Sequence, residues 1–225
     1  MREGKGEVPS MKHSVLICLV CALGLATAHA FTEQEVVNAD AEIIREFRRI
    51  PEQGIPETVL KHARGLAIIK VLKVGFGVSG KGGEGVVVAK TKHGWSGPSF
   101  IGTGGAGVGF QIGAEVTDFV FVLNNEDAVR AFSHGGNVTI GADVSAAAGP
   151  VGRHAEADVA PVAAIYTYSR SKGLFAGVSL QGAVIVTQSD ANRRYYGHEV
   201  TPEAILSRKV LPPSGASRLD AALGR

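Results

Sequence analysis

The chain has 225 residues, with 23 Lys and Arg against 21 Asp and Glu, 20% charged and 45% hydrophobic residues. That composition excludes a disordered polymer and a strongly basic nucleic-acid binder, and it leaves room for the core of one domain plus tails. The 30 glycines follow no collagen period, so they favour turns and close chain approach, and with them β structure.

The first element is a candidate export signal. Lys12 and His13 precede a 12-residue apolar run, Val15 to Ala26, and Ala28-His29-Ala30 has the small-x-small pattern of a cleavage site. The run is too short to anchor across a bilayer, which takes roughly 20 residues. Residues 1–30 are therefore expected to be a signal peptide cut between Ala30 and Phe31, with translation starting at Met1 or at Met11. Its removal leaves 20 basic and 19 acidic residues and takes away Cys18 and Cys21. No disulfide or cysteine metal site is then expected. The implied location is the secretory pathway, secreted or at a membrane surface, or the cytosol if the signal is not used.

Thr32 with Glu35 has the spacing of a capping box. Val36, Val37, Asp40, Ile43, Ile44, Phe47 and Ile50 follow at helical steps, all apolar but Asp40, so an amphipathic helix is expected up to Pro51. Pro56 to Arg64 reads as a short second helix closed by Gly65. Arg45, Arg48, Arg49, Lys61, Arg64, Lys70 and Lys73 give this region seven cations, opposed by Glu46, Glu52 and Glu57. Beside an amphipathic helix such a cluster suits an anionic lipid surface. It equally suits a core-packing helix with a solvated basic face.

From Gly65 onward β-branched residues dominate. Strands are expected at 66–74, 86–90, 107–116, 118–123, 137–142, 162–168, 177–180 and 183–188, with a short helix from Ala128 to Phe132 and another after Thr201-Pro202. Gly75, Gly80 and Lys81 match the spacing of a phosphate-binding loop. Gly82, where that loop needs Ser or Thr, and the strand pattern at Val86 in place of a helix argue against nucleotide. The stretch 75–85 is expected to be a turn between strands. No catalytic constellation is apparent. The histidines are scattered without ligand spacing, and Glu115 and Asp118 would point to opposite faces of a strand. Asn137-Val138-Thr139 is a glycosylation sequon. The fold class expected is α+β: N-terminal amphipathic helices followed by a Gly-rich antiparallel β-barrel or sandwich. The tail from 211 to 225, after Pro212-Pro213, is expected to be flexible.

Ala63-Arg64-Gly65-Leu66-Ala67-Ile68, Trp95-Ser96-Gly97-Pro98-Ser99 and the run from Gly107 to Asp118 occur in this order, followed by Gly135-Gly136-Asn137, Ala148 to Arg153 and Tyr168 to Gly182. Together they resemble the SYLF domain family, over a domain spanning residues 31–210. The resemblance implies a non-enzymatic module that binds anionic phospholipids or phosphoinositides, with no cofactor, nucleotide or nucleic acid. The alternative it implies is actin binding, or another protein interaction of the actin-patch regulator type. On the lipid reading the seven cations from Arg45 to Lys73 are the expected contact residues.

Overall fold

The N-terminal helix forms where the capping box and the apolar stripe place it. A computed structural model describes residues 31–50, 54–150, 163–173 and 183–224. The signal-peptide reading of 1–30 and the strand expected at 177–180 lie outside those residues. Helix α1 spans Glu33–Arg49. The Thr32 hydroxyl accepts from the Glu35 N–H, and the Glu35 carboxylate accepts from the Thr32 N–H at 2.8 Å, so two otherwise orphaned donors are satisfied reciprocally. Val36, Val37, Asp40, Ile43, Ile44 and Phe47 are all buried, and Arg48 and Arg49 lie in the last turn, where positive charge suits the helix dipole. Helix α2, Glu57–His62, follows Pro56.

Two very long strands build most of the sheet. β1 runs Gly65–Thr91 and β3 runs Ser99–Leu123, joined through the two-residue β2 at Gly94–Trp95. They pair antiparallel from Gly65 opposite Leu123 to Val87 opposite Ser99, with one register shift between Phe76 and Val78. The segment 75–85 is thus continuous strand, not the turn expected from its glycines. The chain instead folds back there without leaving its ladder. The Lys90 N–H donates to the Arg64 carbonyl at 2.7 Å, so the two halves of β1 lie side by side. A Cβ at Gly85 would collide with the Ile68 carbonyl. Glycine is used here for close backbone approach, and a Cβ has no place between the two halves.

β6 (Ile165–Gly173) pairs antiparallel with the C-terminal half of β3, and β7 (Val184–Thr187) with its N-terminal half. β4 (Asn137–Thr139) borders β7, and β5 (Ala146–Ala148) lies parallel to β6. The seven strands among the described residues form one curled sheet, a half-barrel, so the α+β class with a mainly antiparallel sheet holds. One face packs α1 together with α4 (Ser189–Tyr196) and α6 (Ser217–Ala222) against Leu66, Ile68, Val86, Val88, Val120 and Val122. The other packs α3 (Glu126–Ser133) and α5 (Pro202–Leu206) against Ile69, Phe119, Phe121 and Leu123. Each such side chain contributes on the order of 1.5–3 kcal/mol when fully buried.

The flexible tail is corrected by the structure. After Pro212-Pro213 the chain forms a 3-10 turn, Ser214–Ala216, and then α6. Leu219 and Ala222 are buried in the same core as α1. Gln34 on α1 donates to the Gly215 carbonyl at 3.0 Å, and Arg48 donates to the Ala222 carbonyl at 2.8 Å. Leu219 and Ala222, with Ala216 and Leu223 beside them, dock this short segment, and α1 supplies donors to carbonyls at both of its ends.

Candidate interaction site

The seven expected cations do not form one patch. Arg45 pairs with Glu42 one turn before it and reaches the Arg218 carbonyl at 3.4 Å. Arg48 is committed twice, to Glu57 through Nε at 3.0 Å and to the end of α6. Arg64 turns to the opposite side of the sheet, 3.8 Å from Glu126 on α3. Lys70 and Lys73 project from opposite faces of β1: Lys70 is 3.7 Å from Asp118, and Lys73 stands across the ladder from the buried Glu115. Arg49 and Lys61 are exposed, and neither side chain has a hydrogen bond or ion pair among the described residues. The apolar stripe beside the arginines is core, not a free face.

What the fold does bring together lies at the C-terminal end of α1. There, α2, the β1–β2 turn and the end of α6 enclose an open recess of about 240 Å³. Ile44, Leu60, Leu66, Trp95 and Leu223 make its apolar wall, while Arg48, Lys61, Lys90 and Glu57 stand around it. The Lys90 ammonium donates to the Lys61 carbonyl at 2.9 Å and lies 6.0 Å from the centre of the Trp95 ring, at the edge of cation–π range. Three cations and one carboxylate therefore surround a nonpolar hollow. Lys90, Trp95 and Leu223 were not legible as site residues, because 29 and more positions separate each of them from Lys61 or Arg48 and only the bent hairpin and the docked α6 close that gap.

A second polar assembly lies under α1. Lys70, Asp118 and Arg170 occupy one row across β1, β3 and β6. Arg170 donates to Asp118 at 3.0 Å, pairs with Glu46 of α1 and lies over the Phe47 ring. Asp40, the one polar residue of the α1 stripe, descends toward this row. Burial pushes its carboxyl well above the usual range, against the Val86 N–H and Lys70, which pull it down, and with Asp118, which raises it further. Among the described residues Asp40 Oδ2, Asp118 Oδ1 and Arg170 Nε have no hydrogen-bond partner. Opposite faces for Glu115 and Asp118, read from their spacing, are what the ladder shows: Asp118 lies in the α1-side row, while Glu115 accepts from Thr117 on the other face.

Asn137 is exposed at the start of β4, where it pairs with Val186. Among the described residues no group of three metal-ligating side chains is present. No described helix is long and apolar enough to cross a membrane.

A family model described as Ysc84, Las17-binding protein actin regulator, matches residues 104–225. LAS seventeen-binding protein 3 of Saccharomyces cerevisiae is 51% identical over 173 residues, covering 75% of this chain and 38% of that protein. Protein YSC84 of the same yeast is 53% identical over 173 residues, covering 75% and 37%. The human SH3 domain-containing YSC84-like protein 1 is 45% identical over 187 residues, covering 80% of this chain and 55% of its own length. The chain thus spans well under two thirds of the curated relatives it matches.

Proposed function

Because this chain belongs to the Ysc84 family of Las17-binding actin regulators, also called the SYLF family, we propose that it is a non-enzymatic protein-interaction module that works among actin-regulating proteins. The observation that carries this reading is the family match, which extends from early in β3 through α6. The recess beside α2 supports it, since an apolar hollow edged by charged groups has the make-up of a recognition surface. The test is co-sedimentation of the full chain with actin filaments at physiological salt. Saturable co-pelleting is expected. If the chain stays in the supernatant at tens of micromolar filaments, the actin reading is wrong.

Contact with anionic phospholipids, phosphoinositides included, is a second reading. It is favoured by the exposed Arg49 and Lys61, which have no partner among the described residues. Because the α1 stripe is occupied by the core, such contact would be electrostatic and peripheral, worth about 1 kcal/mol per cation near the surface. Arg49→Glu with Lys61→Glu is the variant to float against wild type on anionic liposomes. Arg45 and Arg48 are unsuitable because they brace α6. Equal flotation of variant and wild type would remove these residues from the lipid reading.

A further inference from the structure

We propose that the recess between α1, α2, β2 and α6 is the anchor pocket for an acidic peptide segment of a protein partner, one that inserts a Leu- or Phe-sized side chain against Trp95 and sets carboxylates against Lys61 and Lys90. The inference rests on the protein-interaction reading above and names the chemistry of the contact.

Volume decides between occupants first. At about 240 Å³ the recess lies below the roughly 300–1,000 Å³ of sites that engulf a small molecule. One or two apolar side chains fill it. Interfaces concentrate their energy in such anchors, seated in a desolvated pocket with polar groups around the edge. Trp95 is 7% exposed and forms part of the wall with Leu66 and Ile44, both buried members of the α1-side core. The wall is therefore already formed.

Charge decides second. Glu57 is held by Arg48 through two nitrogens, Nε at 3.0 Å and Nη2 at 2.6 Å. That pair is internally neutral. Among the described residues the Lys61 side chain has no partner, and the Lys90 ammonium holds no carboxylate, only the Lys61 carbonyl at 2.9 Å and the Trp95 ring at 6.0 Å. Two positive charges at the mouth remain without a carboxylate there, so the complementary ligand carries carboxylates on both sides of its anchor. A neutral apolar peptide would leave both ammoniums facing apolar side chains, and an acidic peptide without an anchor would leave the hollow empty.

The chain holds one tryptophan, and it lines the pocket. Its emission reports occupancy directly. The probe is an acetylated, amidated peptide, Glu-Asp-Glu-Leu-Phe-Asp-Glu-Asp, titrated into the full chain. One control replaces Leu and Phe by Ser, and the other replaces all the acids by Lys. A saturable change in Trp95 emission is expected with the first peptide alone. Lys61→Glu should weaken it roughly tenfold or more, and Leu60→Asp, at the partly buried pocket wall, should abolish it. Circular dichroism establishes that both variants are folded. No emission change at millimolar peptide overturns the proposal, as does equal binding of all three peptides or an affinity untouched by both substitutions. Loss of emission change with peptide but saturation by anionic vesicles through Lys61 assigns the pocket to a membrane and overturns it too. Concentration-dependent self-association abolished by Leu60→Asp, without peptide binding, assigns it to a second copy, again against the proposal. Actin co-sedimentation run beside the titration separates the two readings: filament binding by the wild-type chain together with failure of the peptide on that same chain leaves the interaction function standing and removes only this pocket.

Discussion

Two buried polar assemblies lie on the same face of the sheet, and they are built on opposite principles. The first fastens the loop Ser96-Gly97-Pro98-Ser99 to α4. Asn192 accepts from the Phe100 N–H at 2.8 Å and donates to Ser99 at 3.3 Å. Ser96 accepts from the Ala89 N–H and donates to the Gly97 carbonyl, and the Tyr196 hydroxyl donates to the Pro98 carbonyl at 3.1 Å. Every group is neutral, and each of these bonds satisfies a backbone or side-chain atom that would otherwise be orphaned. The second, under α1, is charged: Asp40, Lys70, Asp118, Arg170 and Glu46 share one another incompletely, with three buried atoms lacking hydrogen-bond partners among the described residues. A neutral clasp holds a loop at little desolvation cost. A charge row with Asp40 and Asp118 buried at its centre holds its helix only while the partners of those carboxylates are present, because an ion lost there leaves a buried one uncompensated.

The largest test of that contrast is Arg170→Met. Arg170 joins β6 to Asp118 and to Glu46 of α1, and its aliphatic replacement leaves buried Asp118 with only the partly exposed Lys70 ammonium, 3.7 Å away, among the described residues. A loss of about 3 kcal/mol or more in unfolding free energy is expected from denaturant titration. Adding Asp118→Leu should recover part of it, since an apolar pair removes the stranded charge. If the double variant is as unstable as the sum of its parts, the row does not act as a unit. Asn192→Ala comes next. It leaves the Phe100 N–H without its acceptor inside the core and should cost about 2 kcal/mol, without the recovery seen in the charged row, because no partner charge is stranded. Tyr196→Phe removes one neutral bond at the rim of the clasp and should cost roughly 1 kcal/mol in the same assay. A cost near that of Arg170→Met would erase the distinction between the two assemblies.

The two assemblies were unequally legible in the chain. The capping box at Thr32 and Glu35 and the stripe from Val36 to Phe47 are local, so the sequence displays them, and Asp40 stood out as the one polar member. Its partners did not. Lys70, Asp118 and Arg170 meet only through strand register across about fifty residues each, and register is a tertiary property. Helix α4 was missed because its buried side chains are the small Ala191 and the polar Asn192, flanked by Arg193 and Arg194, which give no clear apolar stripe. The glycines of 75–85 read as a turn because glycine is as suited to close strand contact as to turning, and composition cannot separate the two uses. Pro212-Pro213 read as a stop although a docked helix follows. Of the candidate site, Arg48 and Lys61 were read from the basic cluster, while Lys90 and Trp95 are brought to them by the hairpin.

The last test is the quietest near pH 4 and grows from there. Asp40 is buried, and burial holds its carboxyl well above the ordinary value of 3.8 despite the Val86 N–H and the Lys70 ammonium. Near pH 4 the folded protein keeps Asp40 protonated, and Asp40→Asn replaces one neutral group by another of the same shape. Wild type and variant should then differ by little. As pH rises above 3.8, the unfolded chain gives up this proton while the folded chain retains it, so the native state binds more protons than the unfolded one. Stability contributed by this group is therefore fully present below the unfolded value and is lost as pH climbs through the folded one. Asn carries no such proton. As pH rises above 3.8 the variant should pull ahead of wild type, with the gap levelling off at a constant once the folded carboxyl has ionised. The other groups facing the site, Glu46, Lys70, Asp118 and Arg170, are present in both proteins, so the difference between the two curves isolates Asp40. Unfolding free energies from urea titrations at half-unit pH steps give the answer. Parallel curves from pH 4 upward would mean that folded Asp40 gives up its proton over the same range as in the unfolded chain, and that the row under α1 accommodates the charge as completely as the clasp accommodates Asn192.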